Sequence, residues 1–259
     1  MQEIKDFLYK GLKREVQDSK ALIRYYWEAS YKAEQLILTA VGKEGMRFPI
    51  DVEALAEALG VQVEEEDLNE FISRKSMNRK IGQIVIDQDD FSENRIKTKT
   101  IFTDKAAAPS SKRYAIAHEI VHFIMHYDKS EYYEDYCIMP MCPRDAEEIV
   151  ADIFAIFLLI PVRLFFAEFR DYVQRQMTEE RTPVTTESWI RYLAERSMLS
   201  EYYVAYGYQQ LRYVAYWIYQ AWKNDEKIED IRMDEEERER IQKATEDYFN
   251  TDMANMLFQ

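Results

Sequence analysis

The chain has 259 residues, 47% of them hydrophobic, and a formal net charge of -14, which is length enough for one large domain or a domain with extensions. The charge excludes general attraction to nucleic acid or to an anionic membrane, each of which needs a basic face, although a small basic patch remains compatible with it. No apolar run approaches the roughly 18 residues of a membrane span. The opening Met1-Gln2-Glu3-Ile4-Lys5-Asp6 is charged where a signal peptide is apolar. Two cysteines, Cys137 and Cys142, make neither a disulfide framework nor a tight Cys-x-x-Cys pattern, so free thiols and a cytoplasmic location are expected. With only six glycines and six prolines the chain has few tight turns and is expected to be mostly helical.

In chain order, 2–41 is expected to be a long helix or a helix pair, with Phe7, Leu8, Trp27, Leu36 and Ile37 among its apolar positions, ending at Gly42 and Gly45. Asp51 then caps a short helix over 52–59 that Gly60 stops. Three strands follow: 61–63, the β-branched 81–87, and 95–103, which alternates through Ile96, Thr98, Thr100 and Phe102. Pro109-Ser110-Ser111 opens a helix over 110–127, with Ser110 or Ser111 as its N-cap. On it Ile116, Ile120 and Ile124 make one apolar stripe and the histidines occupy a different face. The stretch 127–143 is expected to be an irregular, aromatic, acidic connection. A very apolar helix over 144–160 ends at Pro161, and Asp152 interrupts its apolar run, so it is expected in a protein core rather than a membrane. Helices over 162–176, 186–196 and 200–222 follow, the last with a break at Gly207, and an acidic tail closes the chain.

The three histidines, His118, His122 and His126, all fall on the 110–127 helix. His118 and His122 lie one turn apart on one face, where two imidazoles can converge on a single cation. Glu119 is offset from that face and suits a general base, the arrangement of an H-E-x-x-H zinc peptidase. A catalytic zinc takes three protein ligands. His126 stands about 12 Å from His118 along the helix axis, and three ligands in a row on a straight helix cannot close around one ion. The extended H-E-x-x-H-x-x-G-x-x-H pattern is absent too, since Met125 and Asp128 stand where its Gly and third His belong. His126 is therefore expected in a structural or supporting role.

The third ligand is expected from the next helix, which carries Glu147-Glu148-Ile149-Val150-Ala151-Asp152. Glu148 and Asp152 are four apart and share a face. Asp152 sits among apolar residues, where an unpaired carboxylate is costly, so it needs a partner. One economical assignment has Glu148 binding the metal and Asp152 accepting the free N–H of a ligating histidine. Glu147 is the runner-up ligand, and an ordinary acidic pair near a helix N-terminus is the bland alternative. Ala151 and Ala155 are small enough to let the two helices approach.

These residues resemble the motifs of the ImmA/IrrE-type metallopeptidases. Lys112-Arg113-Tyr114-Ala115-Ile116-Ala117-His118-Glu119-Ile120-Val121-His122 is similar to that family's R-F-x-x-A-H-E-x-x-H, with Tyr114 for the usual Phe and Val121 for the usual Gly. Glu148-x-x-Ala151-Asp152-x-Phe154-Ala155-x-x-Leu158-Leu159-Ile160-Pro161 resembles its E-x-x-A-N-x-F-A-x-x-L-L-M-P, with Asp152 for Asn and Ile160 for Met. The likeness runs over roughly residues 47–212, and its paired motifs are its specific part.

The resemblance implies an α+β, predominantly helical fold: a zincin-like core with a small mixed sheet and a helical C-terminal extension. The expected division is an N-terminal helical extension (1–46), the core (47–165), a helical segment packed on it (166–222) and an acidic helical tail (223–259). The expected activity is that of a zinc metalloendopeptidase, with His118, His122 and Glu148 on the metal, Glu119 as catalytic base and Asp152 behind a ligand. Manganese or iron would suit the same donors. The implied partner is a specific protein substrate such as a helix-turn-helix repressor of a mobile element or stress regulon, with no direct nucleic-acid contact. The alternative is a module of the same fold that binds such a repressor without cutting it.

Overall fold

Two glycines and one aspartate punctuate the first third of the chain. In the computed structural model, which describes residues 1–13, 19–70, 80–88, 97–127, 133–138, 146–176, 178 and 184–223, the N-terminal helical stretch is a pair, α1 (Gln2–Lys13) and α2 (Ser19–Val41). Gly42 follows α2 at φ 74°, a left-handed conformation that costs glycine nothing. Asp51 caps α3 (Val52–Ala58) by accepting the Ala54 N–H at 3.0 Å. The helix stops in a Schellman turn: Gly60 at φ 75°, its N–H on the Glu57 carbonyl, and the Val61 N–H on the Ala56 carbonyl.

The chain divides into two compact units. One comprises Met1–Glu15, Lys32–Met46 and Ile50–Leu159 and holds the sheet. Strands β1 (Gln62–Glu66), β2 (Lys80–Gln88), β3 (Lys97–Asp104) and β4 (Tyr133–Ile138) lie in the order β1-β3-β2-β4. β1 runs parallel to β3, and β2 runs antiparallel to both β3 and β4, so the sheet is mixed and the fold is α+β and predominantly helical. Ile84 and Ile86 of β2, and Ile101 opposite Ile84 on β3, are buried, as period-2 alternation requires of one face. β4 corrects the expectation of an irregular connection over 127–143. Its six residues carry no long apolar alternation, and main-chain pairing with β2 makes them a strand.

α4 (Pro109–His126) packs against β2, and α5 (Ala146–Leu159) packs against α4. The N-cap of α4 is Ala108, with Pro109 in the first helical position, not Ser110 or Ser111. Proline has no N–H to leave orphaned there and its φ is already helical, so it starts the helix itself. Every residue from Tyr114 to His126 is buried, so the isoleucine stripe is not a single inward face. A helix covered all round reads as a central element. Ala151 and Ala155, both fully buried on α5, let it approach.

Gly82 of β2 sets how closely α4 can lie. A Cβ built there would stand 2.7 Å from the Ala115 Cβ and 3.6 Å from the Glu119 Cγ. Gly82→Ala is therefore expected to push helix and sheet apart and cost about 1–3 kcal/mol, the usual penalty of overpacking. A melting temperature equal to that of the unsubstituted protein would show that α4 yields freely at this point.

The second unit comprises Val16–Tyr31, Arg47–Pro49 and Ile160–Gln259. In it α6 (Val162–Arg175) starts after Pro161, and α7 (Thr186–Ser197) starts in a capping box between Thr185 and Ser188. Buried Trp189 meets Phe165 and Phe169 edge-on at ring-centroid distances of 5.5 and 5.1 Å. α8 (Glu201–Lys223) runs through Gly207 without the expected break; an interior glycine weakens a helix only by about 1 kcal/mol. The acidic tail beyond Lys223, and Cys142, lie outside the described residues; Cys137 is buried. Among the described residues no single helix is long and apolar enough to cross a membrane.

Candidate metal centre

α4 presents His118 and His122 one turn apart, and α5 brings Glu148 over them from its first turn. The His118 and His122 Nε2 atoms are 3.0 Å apart. The Glu148 carboxylate lies 3.5 Å from His118 Nε2 and 3.0 Å from His122 Nε2. A tetrahedral ion with bonds of about 2.0–2.1 Å spaces its ligand atoms by roughly 3.3–3.4 Å, so the three side chains fit the edges of one coordination polyhedron. Two imidazole nitrogens and a carboxylate oxygen, all within 4.8 Å of one another, make a group that could hold a divalent metal. The histidines are fully covered and only Glu148 keeps partial exposure, so the cluster opens on the Glu148 side.

Around these three the helices add further contacts. Asp152, one turn beyond Glu148, places its Oδ1 2.9 Å from His118 Nδ1, which leaves Nε2 to face the cluster. The same oxygen accepts the Tyr114 hydroxyl at 2.6 Å. Glu119 is buried and its side chain runs toward β2 at Gly82. His126 is not in the three-residue group. Its Nε2 meets Glu147 at 3.3 Å, and the Tyr9 hydroxyl of α1 stands 3.4 Å from its Nδ1 while donating to the Met125 carbonyl. Glu147, the alternative ligand, thus points to His126. The Tyr127 hydroxyl, just beyond the helix, donates to Gln2 Oε1 at 2.9 Å.

Sequence reasoning missed Tyr114 and Tyr9 as parts of this neighbourhood. For Tyr114 a signal existed, since it precedes His118 by one turn on the same face. For Tyr9, more than a hundred residues away in sequence, there was none.

The cluster holds charge even without an ion. Burial works against protonating His118, but Asp152 and Glu148 outweigh it and lift its pKa to about 10. Burial likewise disfavours an ionised Glu148, yet the two histidines hold its carboxyl well below the usual carboxylate range. His118, raised from 6.5, stabilises the metal-free fold fully below that value and ceases to do so as pH rises through about 10. Glu148, lowered from 4.5, stabilises it above that value and ceases to as pH falls. The melting temperature of chelator-treated protein is thus expected to decline from pH 6.5 toward pH 10, with His118→Gln flattening that decline. Identical alkaline limbs in the two proteins would remove the ion cluster as its cause.

The arrangement is thus a histidine helix on a small mixed sheet, faced by a carboxylate helix. A family model for peptidase M78, the IrrE N-terminal-like domain, matches residues 56–206. The chain belongs to that family. No curated protein sequence matches significantly. Among solved structures, a Mycobacterium tuberculosis transcriptional regulator is similar at 16% identity and a TM-score of 0.30, over 78% of this chain and 50% of that one. The chain thus spans half the length of that protein.

Proposed function

We propose that the chain is a metal-dependent endopeptidase that cleaves a specific protein regulator, of the helix-turn-helix repressor class. The observation that carries the reading is the convergence of His118, His122 and Glu148 on one point with Glu119 beside them on the same helix. Those three would hold the ion, zinc in the first instance, with manganese or iron suited to the same donors. The ion would supply Lewis acidity, acidifying a water and polarising the scissile carbonyl.

The rest falls to the chain's own side chains. Glu119 takes the proton of the attacking water and passes it to the leaving amine. Asp152 holds the His118 ring in the tautomer and orientation that direct Nε2 inward. Burial of the histidines and of Glu119 keeps bulk water from competing for these contacts. A module that only bound a repressor would not need a carboxylate in the position of Glu119. The repressor class itself rests on the family resemblance.

The test is incubation of the purified protein with zinc and a small helix-turn-helix regulator encoded beside it. Cleavage at a defined bond that a chelator stops is the expected result. A stable complex with no cut would replace the peptidase reading with that of a binding module.

A further inference from the structure

We propose that Tyr114 is a positioning residue for the metal centre, acting through Asp152 to fix both helices that supply the ligands. This rests on the reading of His118, His122 and Glu148 as a metal site. Tyr114 is completely buried and Asp152 nearly so. A single carboxylate oxygen, Asp152 Oδ1, faces His118 Nδ1 at 2.9 Å and receives the Tyr114 hydroxyl at 2.6 Å.

One donor leaves a carboxylate free to turn about its own side-chain bonds. Here one oxygen has both a hydrogen bond from the Tyr114 hydroxyl and a close contact with the His118 ring, and both residues stand on the same helix at a fixed one-turn spacing. Asp152 is thereby tied to two points of α4. Because Asp152 stands one turn after Glu148 on α5, the same tie sets the height of Glu148 over the histidines. The hydroxyl therefore governs the orientation of His118 directly and the placing of Glu148 at second hand. It also gives a hydrogen bond to a carboxylate that is almost wholly buried.

A double-mutant cycle read by zinc affinity tests this, with chelator competition as the measurement and melting of the metal-free proteins as the folding control. Removal of a partner that orients a ligating histidine weakens metal binding by about 10- to 100-fold. Tyr114→Phe is expected to weaken zinc binding by about tenfold in the parent and to have little effect once Asp152→Ala, which removes the acceptor, is present. An equal loss in both backgrounds would assign Tyr114 to packing alone and overturn the proposal, as would no loss in either.

Should Tyr114→Phe alone fail to fold, the comparison of Asp152→Ala with Asp152→Ala/Tyr114→Phe decides. Equal affinities support the relay, and a further tenfold loss in the double variant overturns it. Parent protein that binds no zinc would overturn the metal reading and the relay together. Bound zinc with an unchanged affinity in Tyr114→Phe overturns only the relay.

Discussion

Glu119→Gln is expected to abolish cleavage of the protein substrate while zinc remains bound. The substitution keeps the shape and burial of the side chain and takes away its capacity to accept a proton. General-base assistance contributes typically about 10²–10⁴-fold to rate, and this carboxylate is asked to move the same proton twice, from water and then to the amine. The loss should therefore lie at the upper end of that range. Zinc content should be unchanged, because Glu119 is offset by one residue from the face that carries His118 and His122. Single-turnover cleavage assays alongside metal analysis of the same sample separate the two effects. Wild-type cleavage by the Gln variant would end the proposed mechanism; loss of zinc would make Glu119 part of the metal site instead.

Glu148→Ala is expected to cost zinc affinity at least 100-fold, beyond the about 10- to 100-fold that follows loss of a group behind a ligand. The glutamate is the one anionic member of the cluster and the one contributed by a second helix, at 3.5 and 3.0 Å from the two imidazoles. Without it the two histidines of α4 make a two-coordinate site of no net charge. Glu147→Ala is the matched control. Its carboxylate meets His126, not the cluster, so zinc affinity should hold in that variant. Chelator competition on the two purified variants measures both. If the Glu147 variant lost zinc and the Glu148 variant kept it, the third donor would have to be reassigned.

Much of this neighbourhood was readable from spacing alone. His118 and His122 share a face because 3.6 residues make a turn, and Glu148 and Asp152 share one for the same reason. The structure brings Glu148 onto the two imidazoles and Asp152 onto His118. That Asp152 needed a partner followed from the apolar residues beside it. Which group would supply the second donor did not follow, since Tyr114 could have packed as a plain aromatic ring. The strand expected over 81–87 was legible from its β-branched residues and the one over 95–103 from its alternation, whereas β4 was not, because an edge strand draws its stability from backbone bonds to a distant partner.

Local chemistry thus determined the helices, two caps, the turn glycines and the pairing of candidate site residues within each helix. These depend on contacts over four or five residues, and the chain encodes such contacts directly. What only the tertiary structure decided lies between elements. It sets the closeness of α4 to β2 at Gly82, the burial of α4 on every side, the turning of Glu147 toward His126, and the meeting of Tyr114 with Asp152. Each of these is a choice among neighbours brought together by packing, and a choice of that kind has no period in the sequence from which it could be read.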